Sequence, residues 1–319
     1  MAPKPPTWNA TWNPTRIPTY RHTRNPTHIP TWNPTWKPTW NATLRTTSKM
    51  ATNAPRTPTP WRDTFIQHIY SMPQQSFTLS TVHRSPSGTI TPRARTCIYR
   101  GLWGSVPEND RNPAPRNPHV YDSDLPVLTT DVRMEKAGEL ALAGPEGSGG
   151  GGPVEAVWWA EKLGTQWRVK GTAWVLGPDI DGDSEGAKAA RDALRARMWA
   201  CGEEKEEGWS WEREVTAQFG NLSPGMRGTF RNPPPGRPRA LPVEGVGLGL
   251  GQEVWDLQDP VARRNFRVVV IVPDEVEQVD LSDMKAPKRW LYVYRGASYK
   301  STQPGGEVVG EWEKVELWP

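Results

Sequence analysis

Apolar residues recur every three to four positions just after residue 58, and at alternate positions through much of the chain that follows. The first pattern predicts a helix, because residues three and four apart lie on one face. Thr59 can cap this helix, and Pro60 suits its first turn, where no backbone N–H is needed. We expect the apolar stripe to cover one end of a core. It consists of Trp61, Phe65, Ile66, Ile69 and Tyr70.

The alternating pattern predicts seven to nine strands, the first two joined in a hairpin. Further helices are predicted after Asp131, over 185–199 and over 211–219. The strands rarely alternate with long helices, which favours a mainly β fold, a mostly antiparallel barrel with helical decoration, over a doubly wound sheet. The predicted strands cover 77–82, 91–103, 125–131, 154–160, 166–176, 266–272, 276–281, 289–295 and 308–318.

Stretches rich in proline, glycine or charge separate these elements and predict surface loops. We expect residues 59–319 to form one domain that carries these loops as insertions. The insertions are predicted near 106–118, 144–153, 178–208 and 232–262.

Three of these stretches carry motifs that resemble ligand-binding loops but lack an essential part. The glycine-rich 144–153 is not followed by Gly-Lys-Ser/Thr, so we interpret it as a flexible linker. The glycines of 247–251 lack the spacing and preceding strand of a dinucleotide site. The acidic 179–185 has Ser184 where a calcium loop needs glycine, so we expect it to cap the following helix.

Threonine recurs at every fourth position from Thr7 to Thr47, usually after proline or alanine. Frequent proline removes backbone donors and prevents a regular helix, so residues 1–58 are predicted to be a disordered low-complexity tail. Stacking of its tryptophans on single-stranded nucleic acid and glycosylation at two sequons are the alternative interpretations. Met50 is a plausible second start, from which the working protein would begin.

Positive charge is concentrated in residues 1–62, which hold nine Lys or Arg and no acid, whereas the rest holds 30 basic and 35 acidic side chains. This distribution argues against nucleic-acid binding by the folded region and leaves binding through the tail as an alternative. Cys97 and Cys201 suggest two reduced thiols and a cytoplasmic location, although the basic tail leaves organellar targeting open. No membrane span is expected, since the longest apolar run is 268–272.

Side chains for hydrolytic or metal chemistry are scarce. All five histidines precede residue 120, and His-x-x-x-His and Cys-x-x-Cys do not occur. Gly-x-Ser-x-Gly occurs once, at 182–186, and no histidine follows it in the chain. No metal site is predicted, and a metal hydrolase or a Ser-His-Asp hydrolase would lack its parts. Redox or group-transfer chemistry would therefore depend on a bound cofactor.

The stretch 92–103 combines a strand pattern with two cations. Arg95 and Arg100 stand near its ends, and β-branched and aromatic residues lie between them. Thr96, Ile98 and Arg100 would point one way along an extended chain. Two fixed cations suit a ligand with a phosphate at one end and a polarisable ring at the other.

Several further segments follow this stretch in the order seen in the pyridoxamine 5'-phosphate oxidase superfamily. The chain most resembles its branch of FMN-binding-domain proteins, over about residues 60 to 319. The segments are Arg95-Thr-Cys-Ile-Tyr-Arg100, 128–137, 163–173, Ala217-Gln-Phe, Leu222-Ser-Pro, 266–270, Arg289-Trp-Leu-Tyr and 312–319.

This resemblance implies an FMN-binding split β-barrel, generally a homodimer with FMN at the subunit interface. Arg95 and Lys136 would clamp the flavin phosphate, with Thr129 and Thr130 donating hydrogen bonds nearby. Arg100 would face the ring and the substrate, which makes it the catalytic candidate. The other implied contacts are Thr96, Cys97, Ile98 and Tyr99 beneath the flavin, Gln166 at the isoalloxazine edge, Arg289 at the ring's polar side and Ser223 across the dimer.

The chain also departs from the oxidases. Met134 and Glu135 stand where the oxidases carry serine and arginine, and Arg133 is a candidate to supply that cation instead. The oxidases' substrate signature falls at 285–287 without its histidine, and Val279 replaces a flavin-facing tryptophan. These departures argue against vitamin B6 phosphate as the substrate.

Two functions follow from the resemblance. The first is an oxidoreductase in which a small, unidentified substrate transfers hydride to flavin N5. The alternative is a non-catalytic FMN-binding module that acts in storage or sensing.

Overall fold

The computed structural model of the protein describes residues 59–141, 147–201, 207–297 and 299–319. The tail predicted over 1–58 and the second start at Met50 lie outside these residues. Within the described part of the chain, no helix combines the length and the apolar character needed to cross a bilayer.

The helices are short, and four of them begin at a polar cap. Ser184, Ser210, Ser223 and Asp259 each accept a hydrogen bond from a backbone N–H of the first turn. The cap predicted from the acidic stretch before the third helix is therefore present. The described helices are α1 (Arg62–Ser71), α2 (Glu135–Leu140), α3 (Glu185–Arg195), α4 (Trp211–Gly220), α5 (Pro224–Gly228) and α6 (Pro260–Asn265).

Strands dominate the described residues, and all pairings between them are antiparallel. The predicted mainly β, mostly antiparallel fold class is confirmed. The strands are β1 (Ser76–Arg84), β2 (Ile90–Ile98), β3 (Tyr121–Ser123), β4 (Val127–Asp131), β5 (Gly149–Ala160), β6 (Thr165–Leu176), β7 (Met198–Ala200), β8 (Phe266–Asp280), β9 (Lys288–Tyr294), β10 (Glu307–Val309) and β11 (Trp312–Leu317).

The main sheet has the order β10-β11-β9-β8-β6-β5-β1-β2, and β4 pairs with β8. The chain just after β2 bonds back to the start of β4, because Arg100 N donates to Val127 O (2.8 Å) and Val127 N donates to Gly101 O (2.9 Å). These bonds connect the β2 side of the sheet to β8 through β4. The first half of β8 pairs with β4 and the second half with β9, so the sheet divides there.

One core lies between the sheet and α1. Phe65 makes edge-to-face contacts with Tyr99, Trp158 and Trp167 at ring distances of 6.2, 5.2 and 5.4 Å. The predicted apolar stripe therefore does cover the core, except for Tyr70, which is 52% exposed. A second core packs α3 and α4 against β4, β6 and β8.

Several local predictions were wrong. Thr59 does not cap α1, because its hydroxyl bonds to Asp124 instead. The linker predicted over 144–153 is a strand from Gly149 onward, with glycines that fit against neighbouring backbone: a Cβ on Gly150 would come within 2.5 Å of Ala173 O. The strands predicted at 266–272 and 276–281 are one strand, β8, with a register shift opposite Lys170.

Two of the predicted helices also differ from the structure in where they begin or end. The helix expected after Asp131 begins only at Glu135, and Met134 precedes it without a side-chain cap. The helix expected over 185–199 ends at Arg195, and the chain then enters β7.

Candidate functional site

A cavity of about 800 Å³ lies beside β2 and β4. One wall comes from these strands, from Met134 just before α2 and from Lys136 in the first turn of α2. The opposite wall comes from α5 and from the proline-rich stretch that follows it. The strand wall consists of Thr96, Cys97, Ile98, Arg100, Thr129, Thr130, Asp131, Met134 and Lys136.

Sheet closure brings the two parts of this wall together. The bonds between residues 100–101 and Val127 place the end of β2 against the start of β4. Alternation along β2 then turns Cys97 and Tyr99 toward the core, while Arg100 lies at the cavity. Seven of the thirteen predicted cofactor residues thus line one cavity.

The guanidinium of Arg100 is partly buried in this wall. Its Nε is shielded from solvent and has no hydrogen-bond partner, and its Nη2 lies 3.9 Å from the Met226 sulfur. Burial lowers the pKa of Arg100 from its usual range. None of the described carboxylates forms an ion pair with Arg100, so its charge is available to an anion or a polar ring in the cavity.

Lys136 is the second cation of this wall. Its Nζ lies 2.8 Å from the Met134 sulfur, and no described carboxylate lies within ion-pair distance. Burial lowers the pKa of Lys136, and the nearby Arg95 adds to this effect. A bound anion would offset both the desolvation of Lys136 and its repulsion by Arg95.

Cys97 also lines the cavity. Burial raises the pKa of its thiol, although Lys136 and Arg95 act in the opposite direction. The thiol is therefore protonated at neutral pH, and its role in the wall is packing.

The wall fits FMN in chemistry and size. A phosphate needs cationic and hydroxyl donors, which Lys136, Thr129 and Thr130 provide, and the unpartnered Arg100 supplies a cation for the ring. The cavity volume is within the range of about 300–1,000 Å³ that suits one small ligand.

Arg95 does not line the cavity, although it was predicted to clamp the phosphate. Its Nη2 donates to Glu139 Oε2 (2.7 Å), and its Nη1 donates to Thr81 Oγ1. Burial opposes ionisation of Glu139, but hydrogen bonds from Thr81 and Arg95 hold its pKa below the usual range. Arg95 is therefore held in a structural ion pair beside the cavity.

Arg133 is likewise occupied. Its Nε and Nη2 bond to the two carboxylate oxygens of Asp131 at 2.9 and 2.6 Å, and it also donates to the carbonyls of Asn232 and Phe230. Its contacts fasten the opposite wall of the cavity, and the predicted phosphate contact gains no support from this geometry.

Gln166 and Arg289 lie on another part of the sheet. They share one row with Val279, which faces Gln166 on one side and Arg289 on the other. Arg289 Nε donates to Glu277 Oε2 (2.9 Å), and Arg168 Nη1 lies 3.0 Å from Glu277 Oε1. Neither Gln166 nor Arg289 therefore lines the cavity of its own chain.

Two further predicted contacts have local structural roles. Tyr99 is buried in the first core, where desolvation raises the pKa of its hydroxyl. Ser223 is exposed and caps α5, accepting a bond from Met226 N (3.2 Å).

Sequence reasoning missed the second wall. Its members come from α5, the turn after it and the segment 232–250, which was interpreted as a surface loop. The density of proline beside two arginines was the only signal in this segment, and it does not indicate which surface the segment packs against.

Comparison with known proteins identifies part of the chain. Residues 58–177 match the family model described as pyridoxamine 5'-phosphate oxidase, FMN-binding domain. This segment contains β1, β2, β4, β5 and β6 and the whole strand wall of the cavity. The resemblance and the FMN cofactor expected from the sequence are confirmed at the level of this family. No curated protein matches the chain.

Two solved structures were also found to be similar. One is a pyridoxamine 5'-phosphate oxidase-related, FMN binding protein from Nostoc punctiforme PCC 73102, with 20% identity over 82% of this chain and 99% of that chain, and a TM-score of 0.51. At this identity the similarity shows the fold alone. The other is PhzG from Burkholderia lata 383, with 14% identity over 82% and 98% of the two chains and a TM-score of 0.35, which supports no conclusion here.

Proposed function

We propose that this protein binds FMN in the cavity beside β2 and β4 and acts as an oxidoreductase, because residues 58–177 match the pyridoxamine 5'-phosphate oxidase, FMN-binding domain family model. The observation that carries the proposal is the pair of partly buried cations, Arg100 and Lys136. Both line the cavity without a carboxylate partner among the described residues.

Each part of the strand wall has a distinct task in this proposal. Lys136 binds the phosphate, with Thr129 and Thr130 as hydroxyl donors beside it. Thr96 and Ile98 form the surface beneath the ring. Arg100 faces the ring and the reacting end of a substrate, where its buried Nε needs an acceptor.

FMN held by these residues would supply the redox chemistry, hydride transfer from a small substrate to flavin N5. The protein contributes orientation and exclusion of water. Apolar side chains on both walls shield the cavity, which strengthens the electrostatic contacts of Arg100 and Lys136. No side-chain nucleophile is required.

A homodimer is part of the proposal. Gln166, Arg289 and Ser223 do not line the cavity of their own chain, so a second subunit would have to bring them to the flavin. Trp159 supports this arrangement, because it is 46% exposed on the strand that neighbours Gln166. Equilibrium sedimentation with and without FMN would measure the oligomeric state.

The cofactor site is tested by titrating the full chain with FMN and following flavin fluorescence. The Arg100→Ala/Lys136→Ala double variant is expected to bind at least about 100-fold more weakly, because each charge-assisted bond is worth roughly 1.5–3 kcal/mol. Arg93→Ala/Lys162→Ala removes two exposed cations and serves as the control. Equal binding by both double variants would overturn the assignment of the cavity.

Turnover is tested separately, by mixing FMN-loaded protein anaerobically with candidate amines and reduced nicotinamides and then admitting oxygen. Bleaching of the flavin absorption band followed by its return, over many cycles, is expected of an oxidoreductase. Tight FMN binding without reduction by any donor would support the non-catalytic module instead.

A further inference from the structure

The second wall of the cavity lies outside the family-matched segment. It comes mainly from residues 232–250, whereas the family match ends at residue 177. The strand wall already contains the donors needed for FMN. The second wall is therefore the part of the cavity that a substrate would contact.

Hydrogen bonds and an ion pair fix this wall to the rest of the protein. Arg133 Nη1 donates to Asn232 O (2.9 Å) at the start of the segment. Near its end, Gly249 N donates to Arg231 O (2.9 Å), and Arg231 Nε donates to Gly247 O (3.1 Å). Arg231 is in turn paired with Asp259 at 3.0 Å. Such anchoring gives the wall one shape before a ligand arrives.

The surface that this wall presents is apolar and stiff. Pro233, Pro234 and Pro235 line the cavity, and their rings restrict the backbone, so little entropy is lost when a ligand packs on them. Leu241 and Leu250 line it too, yet they are 48% and 67% exposed. Large apolar side chains left uncovered in a cavity indicate a ligand with an apolar face.

One cation of this wall has no ion-pair partner among the described carboxylates. Arg237 is paired with Glu244 at 3.0 Å, and the cavity's acidic residue, Asp131, is held by Arg133. Arg239 also lines the cavity, and none of the described carboxylates forms an ion pair with it. The wall thus offers one unpaired guanidinium beside an apolar, proline-lined surface.

We propose that this second wall is a substrate subsite for a flat apolar compound that carries one carboxylate, bound by Arg239. The proposal rests on the proposed flavin function and adds the class of substrate. A guanidinium and a carboxylate match as a bidentate pair, and proline rings pack well against flat aromatic faces. A single unpaired cation matches a single negative charge.

The experiment uses the FMN-loaded full chain with two probes, 2-naphthoate and its neutral counterpart 2-naphthamide. Binding is followed by perturbation of the flavin absorption spectrum and by calorimetry. We expect naphthoate to bind at least about tenfold more tightly, the factor that corresponds to one charge-assisted bond. In Arg239→Gln this preference should fall to near unity. Arg264→Gln removes an exposed arginine outside the cavity and should keep the preference.

The outcomes separate this inference from the proposed function. If the wild-type protein does not bind FMN, the proposed function fails. If FMN binds but neither probe does, or both bind equally, or the preference survives in Arg239→Gln, the subsite is wrong. If Arg239→Gln weakens FMN but not riboflavin, Arg239 serves the flavin phosphate and the subsite assignment is overturned.

Discussion

Two groups of cations that the sequence does not distinguish differ in what they face. Arg100 and Lys136 line the cavity and have no ion-pair partner among the described carboxylates. On the outer part of β6, β8 and β9, Arg168 and Arg289 both contact Glu277, which is only 4% exposed. The cations of the first group need a ligand to balance their charge, whereas those of the second already have a carboxylate partner.

The difference matters because desolvating a cation is unfavourable unless an anion lies nearby. Burial lowers the pKa of Arg100 and of Lys136. By contrast, the hydrogen bond to Glu155 raises the pKa of Arg168, with Glu277 acting in the same direction. The pairing of each cation, more than its place in a motif, therefore indicates whether it is a binding residue.

The largest effect is expected on replacing Glu277, the carboxylate that pairs with Arg168 and Arg289. Glu277→Gln leaves Arg289 unpaired and Arg168 with Glu155 as its remaining partner, and it should lower the free energy of unfolding by about 2–4 kcal/mol, since both arginines keep some solvent contact. Chemical denaturation measures this loss. Glu275→Gln, which breaks the half-exposed pair with Lys170, should lose less than about 1 kcal/mol. Weaker FMN binding by Glu277→Gln at unchanged stability would instead place Arg289 at the cofactor.

The next largest effect is expected on FMN binding, when a cation that lines the cavity is replaced. Lys136→Gln should weaken FMN binding by roughly 10- to 100-fold and leave riboflavin binding unchanged, because the lost contact is to the phosphate alone. Parallel fluorescence titrations with the two flavins measure the difference, and Lys162→Gln is the exposed control. Equal losses for both flavins would contradict a phosphate role for Lys136.

The ion pair between Arg95 and Glu139 tests whether a cation that already has a partner can still bind the flavin phosphate. Glu139→Gln removes a negative charge beside the proposed phosphate site and frees Arg95, so FMN affinity should rise by up to about fivefold. Arg95→Gln should mainly reduce stability, which thermal unfolding reports. A loss of FMN but not riboflavin affinity in Arg95→Gln would restore Arg95 to the clamp predicted from the sequence.

A pH dependence is expected at Glu313, a buried carboxylate that also has its partners. Burial opposes ionisation of Glu313, but bonds from Ser301, Thr302, Gln303 and Arg295 lower its pKa to about 2. Because its folded pKa lies below the unfolded value, its contribution is present above about pH 4.5 and is lost as the pH falls toward about 2.

Melting temperatures measured between these two pH values should therefore fall more steeply for the wild type than for Glu313→Gln. Glu316→Gln, an exposed change on the same strand, should retain the wild-type slope. Parallel slopes for all three proteins would show that Glu313 is not a stabilising carboxylate.

Much of the fold was predictable because local periodicity reflects burial. Phe65 and Ile69 of α1 are fully buried, as the predicted apolar stripe requires. Cys97 and Tyr99 were predicted only as flavin contacts, and the structure buries both in the first core. The glycine-rich start of β5 was not predictable. Glycine favours loops in isolation, and only the neighbouring backbone at Ala173 explains why it occurs in this strand.

The sequence by itself determined the strand order along the chain, the apolar face of α1 and the cofactor family, because these follow from short-range patterns and ordered motifs. The tertiary structure decided which cations face the cavity. Arg95 meets Glu139 forty-four residues further along the chain, while Arg100 meets no described carboxylate. It also placed residues 232–250 opposite β2. Ion pairing and cavity walls are contacts between distant segments, and local patterns carry no information about them.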